Sequence, residues 1–203
     1  MKKYLAAFIS IFPSNLLRIF LYNMLFGYKI SFSAKIGFGT IIRVKKVIIK
    51  KDAFIGTFNY FFGPLSLNIE ERGSIGSFNT FKCSRDKSAL AFCEIGYRSR
   101  ISHYHMIDAT GGFILKDFSR IAGRSSQFWT HGGQRPETTI TINEKCYIGS
   151  GVLFAQGVSI AENTFVGLGS VVVDSFDEPD VLLFGHPAQI VKKGIIARKS
   201  LVK

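Results

Sequence analysis

The sequence is short of proline, cysteine, tryptophan and acid, and no long hydrophobic run in it is unbroken. Of 203 residues, five are Pro, three are Cys, one is Trp and 14 are Asp or Glu, against 26 Lys and Arg. The three cysteines, Cys83, Cys93 and Cys146, have no paired metal-ligand spacing. They are expected as small buried or loop residues in a reducing compartment. Pro13, Asn15, Arg18 and Asn23 interrupt the apolar N-terminal stretch, which argues against a transmembrane span. No small-x-small cleavage site follows Phe12, which argues against a secretory signal. The net charge of +12 comes with no helix-turn-helix, zinc knuckle or aromatic RNA platform. Nucleic acid is therefore set aside in favour of a nucleotide cofactor, a phosphorylated sugar or a membrane surface.

What the chain does have is glycine, 20 residues of it, and an apolar fraction of 47%. The first suits repeated tight turns, and the second excludes disorder as a global reading. At this length one domain with a sizeable core is expected. Between Ile142 and Val172 the period is six: Ile142, Ile148, Phe154, Ile160, Val166 and Val172. Helices repeat at 3.6 and single strands at 2, so neither explains it. Three hexapeptides per triangular coil do.

The same register extends back to Ile30. First anchors fall at Ile30, Ile49, Ile69, Ile95, Leu115, Ile142 and Ile160; second anchors follow six later, from Ile36 to Val166. Third anchors are Ile42, Phe61, Phe81, Ile107, Gln127 (with Phe128 beside it), Phe154 and Val172. Seven coils at strand spacing give a prism roughly 30–35 Å long. The spacing within a coil reads as six throughout, so all extra residues leave at the corner between third and first anchors. The two long excursions are near 82–94 and 128–141. The expected organisation is therefore an N-terminal segment over 1–28, a β-helix over 29–173 and a tail over 174–203.

Residues 1–28 read as an apolar run to Phe12, then a helix capped by Ser14 or Asn15 and stopped by Gly27. This segment either caps the open end of the β-helix or rests on a membrane surface, and the two roles are compatible. After Val172 the period fails, and Gly185-His186-Pro187 turns the chain into a basic tail.

The 128–141 excursion is where the chemistry is expected, the alternative being a His satisfied by loop hydrogen bonds. It holds Trp129 and places His131 beside Gly132 and Gly133. A loop imidazole can take a proton from a hydroxyl or amine, and loops on one edge of a solenoid commonly carry function. Asp108 follows the third anchor of coil four and is expected near the root of this loop, to bind a ligand hydroxyl, to orient His131 or to sit in an exposed turn. His103 and His105 precede that anchor on one face, expected outward, as acceptor contacts or an exposed polar pair. Glu137 and Glu144 are further candidates to orient His131.

The motifs Thr130-His131, Tyr147-Ile148-Gly149-Ser150-Gly151-Val152, Gly157-Val158-Ser159-Ile160, Val166-Gly167-Leu168-Gly169-Ser170-Val171-Val172 and Gly185-His186-Pro187-Ala188 resemble the hexapeptide-repeat acyltransferases. Within that family the chain looks like the galactoside and maltose O-acetyltransferases and those of polysaccharide biosynthesis. The resemblance implies an all-β fold, a left-handed parallel β-helix, assembled as a homotrimer with acetyl-CoA between neighbouring prisms. It implies His131 as general base for direct acetyl transfer with no metal. It implies Gly149, Ser150, Gly167 and Leu168 along the pantetheine arm, with Tyr147 also binding the cofactor and Lys192 and Lys193 at the phosphates. Ser102, His103, His105, Asp108 and Trp129 are the acceptor candidates. Several positions depart from the galactoside pattern. Tyr147 stands for a Trp, Val173-Asp174 for Thr-Lys, Gln189 for an Arg and Ser102 for a sugar-binding Asn, so a galactoside acceptor is not implied.

The expected function is acetyl transfer to a sugar hydroxyl of a bacterial surface glycan or its precursor. The expected location is the cytoplasm, free or at the inner face of the plasma membrane. The alternatives are an N-acyltransferase on an amino-sugar nucleotide, a β-helix metalloenzyme using His103, His105 and His131, and a non-catalytic scaffold.

Overall fold

The computed structural model describes residues 2–84, 91–132 and 138–195. Short strands, mostly two to four residues, stack in parallel into three sheets. The first sheet carries the seven first anchors, from Lys29–Ile30 to Ser159–Ile160, and the second begins at Lys35–Ile36. The third runs from Ile41–Arg43 to Val171–Val172. Each strand pairs with the equivalent strand of the next coil, as in Ile36 with Ile55 and Ile107 with Phe128. The seven-coil prism and its register are therefore present.

Its core is the column of anchors, all essentially inaccessible. Phe61 stacks on Phe81 with ring centroids 4.5 Å apart, and Phe128 on Phe154 at 5.0 Å. Small residues after the second anchors are needed because successive corners touch. A Cβ on Gly76 would lie 2.3 Å from the Ser102 carbonyl oxygen, and one on Gly37 would lie 2.4 Å from Gly56.

Two expectations change here. The third anchor of coil five is Phe128, not Gln127: Phe128 is buried and pairs with Ile107 and Phe154. The corner between Ile121 and Phe128 takes one more residue than its neighbours, so one insertion lies outside the excursion corner. Gln127 points outward and accepts a hydrogen bond from Trp129 Nε1 at 3.1 Å. His105 also departs from expectation, because it is buried rather than outward. It is a rung in a polar ladder at the second corner. Thr40 Oγ1 accepts the Asn59 N–H, Asn59 Oδ1 that of Asn79, and Asn79 Oδ1 that of His105. His105 Nδ1 then accepts the N–H of Ser126, whose Oγ accepts that of Val152. Each coil thus satisfies a backbone donor of the next.

The open end of coil one is closed by two helices, α1 (Lys2–Ser10) and α2 (Asn15–Phe26). Ser14 caps α2 and Gly27, at φ 68°, ends it. The polar residues that break the apolar stretch are the ones that reach the exposed coil edge. Asn15 accepts the Ile36 N–H at 2.8 Å and donates to the Ala34 carbonyl at 3.0 Å. The buried Arg18 guanidinium donates to the carbonyls of Ile36 and Phe12, and Asn23 brackets both backbone groups of Ile30. No described helix is long and apolar enough to cross a membrane.

The opposite end is not a simple tail. Phe176 bridges to Ile160 as an eighth rung of the first sheet, and Val181–Gly185 runs parallel to Phe165–Val166. Ala188–Lys193 then returns antiparallel along Val181–Gly185. All three cysteines are buried, and burial pushes the Cys83 thiol up to about 11 and Cys146 up to about 12. Neither thiol is positioned as a nucleophile.

Candidate active site

Both long excursions leave at the third corner, and the root of the second one assembles a charged cluster. Because Phe128 is the anchor, the residue after each third anchor aligns as Arg43, Phe62, Lys82, Asp108 and Trp129 up the third sheet. Asp108 thus stacks under Trp129, not under Phe128 as the hexapeptide spacing implied.

Asp108 is 1% exposed, so it is no surface turn. Its Oδ1 accepts the Thr110 hydroxyl at 2.6 Å and the Thr110 N–H at 3.1 Å. That local Asx turn fixes the carboxylate. Oδ2 lies 3.2 Å from Lys82 Nζ, and Oδ1 lies 3.2 Å from His131 Nδ1. The His131 contact is off the hydrogen-bond line, leaving Nδ1 buried without a hydrogen-bonded partner among the described residues. Catalytic pairs are often slack before substrate binds. With Nδ1 facing the carboxylate, Nε2 is the nitrogen available to an acceptor, and the His131 side chain is one-third exposed.

The loop root is clamped by Thr130, which donates to the Asp108 carbonyl at 2.7 Å and accepts the Gly111 N–H at 2.8 Å. Gly111 is required there: a Cβ would lie 2.4 Å from both the Thr130 carbonyl oxygen and Thr138 Cβ. Trp129 is partly exposed, and Lys82 Nζ sits 4.9 Å from its ring centroid, within cation–π range. Lys82 was missed in the sequence. Its signal was present, since it follows the third anchor of coil three as Asp108 follows that of coil four.

Of the predicted acceptor residues, Asp108 and Trp129 join His131. Ser102, His103 and His105 lie at the second corner of the same chain. His103 is exposed with Nδ1 accepting the Ser77 N–H at 2.9 Å, and His105 is occupied in the ladder, so the three-histidine metal set is not assembled within one chain. Glu144 lies by the first corner, 3.6 Å from Lys116, and Glu137 lies outside the described residues. The predicted donor-site residues form a second group. Tyr147 stacks on Phe165 at 5.4 Å, and register runs from Tyr147 through Phe165 and Leu182 to Lys192. Gly149, Ser150, Gly167 and the exposed Leu168 follow at the second corner. Lys193 Nζ lies 2.7 Å from Glu178 Oε2.

No family model matches the chain. A curated protein of Saccharomyces cerevisiae named as an acetyltransferase, YJL218W, is 35% identical over 54 residues; the chain spans 27% of that relative's length. Several solved structures share the fold over most of the chain. A hexapeptide-repeat acetyltransferase from Vibrio cholerae aligns with TM-score 0.54 and 20% identity over 96% of this chain and 89% of that one. A maltose O-acetyltransferase from Clostridium difficile gives 0.52 and 16% over 96% and 84%. The polysialic acid O-acetyltransferase OatWY gives 0.63 and 18% over 85% and 87%. The chain therefore has the left-handed parallel β-helix fold. This hand runs against the usual right-handed crossover.

Proposed function

We propose that this protein is an acetyl-CoA-dependent O-acetyltransferase acting on a sugar hydroxyl of a bacterial surface glycan or its precursor. The observation that carries the reading is the Asp108–His131 pair at the root of the excursion, 3.2 Å apart. The yeast likeness and the Vibrio cholerae enzyme of this fold, solved with acetyl-CoA, support the donor.

In this mechanism His131 Nε2 takes the acceptor hydroxyl proton as the oxygen attacks the thioester carbonyl carbon. The C–S bond of the tetrahedral adduct then breaks, and the imidazolium returns its proton to the departing CoA sulfur. Asp108 orients the ring and stabilises the imidazolium. Lys82 and Trp129 flank the acceptor side. The acyl group passes directly to the acceptor.

The donor group and the base occupy different corners of one prism. A homotrimer would place the second corner of one copy against the third corner of its neighbour, completing each site between subunits. Lys192 would meet the CoA phosphates there.

The same reading puts the enzyme at a lipid surface. Ten of the 26 basic residues and none of the 14 acidic ones fall in residues 1–51. While Ala6, Ile9, Ile19 and Tyr22 pack on the prism, Tyr4, Phe8, Ile11, Leu16, Phe20 and Met24 face outward, 49–76% exposed. Helices apolar on both sides suit burial against protein on one side and lipid on the other.

Thiol release with sugars, sugar nucleotides and isolated glycans tests the proposal. His131→Ala should lower turnover about 10²-fold or more with the assembly intact. Near-wild-type turnover would remove His131 from the mechanism.

A further inference from the structure

We infer that a cleft below the base, on the same corner, is a distal subsite for the acidic groups of an extended acceptor chain; this rests on the transferase reading for the reacting end only. The cleft encloses about 640 Å³ between the end of α2 and the third corner of coils one to three. Phe26, Tyr28, Tyr60 and Phe62 wall it, and Arg43 and Lys45 supply its charge.

Its position links it to the reaction. Arg43, Phe62, Lys82, Asp108 and Trp129 occupy one register row. Four steps of the sheet span about 19 Å, so a chain of several sugars is needed to touch both ends. A single sugar at His131 would leave the cleft empty.

The lining gives the ligand's chemistry. Four exposed lysines elsewhere have acidic neighbours, Lys50 with Glu70, Lys51 with Glu71, Lys116 with Glu144 and Lys193 with Glu178. Lys29, Lys35 and Lys46 stand in no ion pair among the described residues but do not line this cleft. Arg43 and Lys45 have no carboxylate within ion-pair distance among the described residues. Arg43 is half-buried, and its guanidinium lies 3.4 Å from the Tyr60 hydroxyl, an orientation that leaves the rest of its donor fork for an anion. Tyr60 and Phe62 stack on each other at 4.6 Å, making one apolar platform beside that charge. The Tyr28 hydroxyl is engaged with both backbone groups of Val44 and serves as wall. Cys83 is a neutral thiol there, because burial and the Asp108 charge both raise its pKa. A cation pair beside an aromatic platform, with no acid in the lining, fits a glycan carrying carboxylates or phosphates.

The test uses the full chain and two oligomers of equal length, a hexamer of galacturonic acid and uncharged maltohexaose, titrated calorimetrically without acetyl-CoA. The acidic hexamer should bind, and added salt should weaken it. Arg43→Ala combined with Lys45→Ala should weaken it about tenfold or more, with unchanged thermal midpoint and unchanged turnover on a monosaccharide acceptor. Lys45→Ala alone, on an exposed side chain, gives the same readout with no risk to folding and should show a partial loss. Equal binding of the two hexamers, or acidic binding indifferent to both variants, overturns the subsite and leaves the transferase reading standing. Acidic binding lost in the variants, with no thiol release from any acceptor, upholds the subsite and overturns the transferase reading.

Discussion

Asp108→Asn is the sharpest probe of the proposed site. Asparagine keeps the volume and one oxygen for Thr110, whose hydroxyl and N–H hold that oxygen at 2.6 and 3.1 Å, so the turn should survive. What disappears is a charge 3.2 Å from His131 Nδ1. At an effective dielectric near 20, unit charges at that separation interact by about 5 kcal/mol. His131 is 33% exposed and Lys82 draws on the same carboxylate, which leaves roughly 3 kcal/mol for the imidazolium that forms in the transition state. At about 1.4 kcal/mol per decade, kcat should fall about 10²-fold. The loss deepens toward about 10⁴-fold if the new amide turns its NH₂ to Nδ1 and moves the ring proton onto Nε2. The Michaelis constant for acetyl-CoA should hold, because Asp108 contacts His131 and lies away from the proposed donor group. Thiol release measures both constants, and circular dichroism checks the coil. A kcat within about threefold of wild type, with the fold intact, would refute the pairing as a source of rate.

The other expectations follow from the same structure. His105 titrates at about 4, held down from 6.5 by burial first and by His103 second, against the opposing pull of the Gly123 carbonyl. The unfolded chain gains that proton near pH 6.5 and the native one does not, so stability should fall between 6.5 and 4 by up to about 3 kcal/mol. His105→Asn, the residue type of rungs 59 and 79, should flatten that loss in urea titrations; an unchanged pH slope would exclude His105 as its source. Removing the chain from Lys192 onward should raise the Michaelis constant for acetyl-CoA more than that for the acceptor, whereas Lys193→Ala, which breaks only the Glu178 pair, should do little; equal donor constants in full-length and shortened protein would sink the Lys192 assignment. The full chain should float with anionic vesicles and not with neutral ones, and Phe8→Ser with Phe20→Ser should release it without lowering thiol release on soluble acceptors; flotation unaffected by that pair would exclude the helical face as the docking surface.

The coil was legible because its determinant is repetitive. An anchor every six residues must point inward, and a small residue must follow where corners touch. The excursions were legible as the remainder of that count. The count failed at the corner after Ile121, where the sequence Ala122-Gly123-Arg124-Ser125-Ser126 carries an extra residue. Gln127 then occupied the numerically expected position, although Phe128 was the obvious apolar candidate beside it. That slip of one residue hid the row joining Lys82, Asp108 and Trp129. His105 was misread for a related reason. Alternation was counted along the strand, but His105 sits in the corner, where the buried position holds Thr40, Asn59, Asn79 and Ser126 in neighbouring coils. Polar residues at that rung bond to the adjoining coil, which a single coil's pattern cannot display. The C-terminal hairpin was hidden because its strands lie outside the six-residue rhythm, although Val181 and Leu183 join the core.

The contrast among the histidines shows how this fold allots chemistry. His105 and His131 are both imidazoles with Nδ1 turned toward the protein, yet their surroundings set opposite uses. At the second corner the coils are in contact, and a side chain there must accept the N–H of the next coil. His105 Nδ1 therefore serves Ser126, and burial suppresses the charged form. At the third corner the chain leaves the prism, and the root of the loop needs no such rung, because Thr130 satisfies the adjacent Gly111. His131 Nδ1 faces a carboxylate instead, and the other nitrogen remains available. A base of this kind must be built where the repeat is interrupted, since an uninterrupted corner consumes its polar side chains in holding the coils together. The proposed donor group, by contrast, follows uninterrupted repeat at Gly149, Ser150, Gly167 and Leu168, where small side chains and main chain would suit a long thioester arm. Those two requirements cannot be met at one corner of one chain, which is why the proposed reaction calls for a second copy.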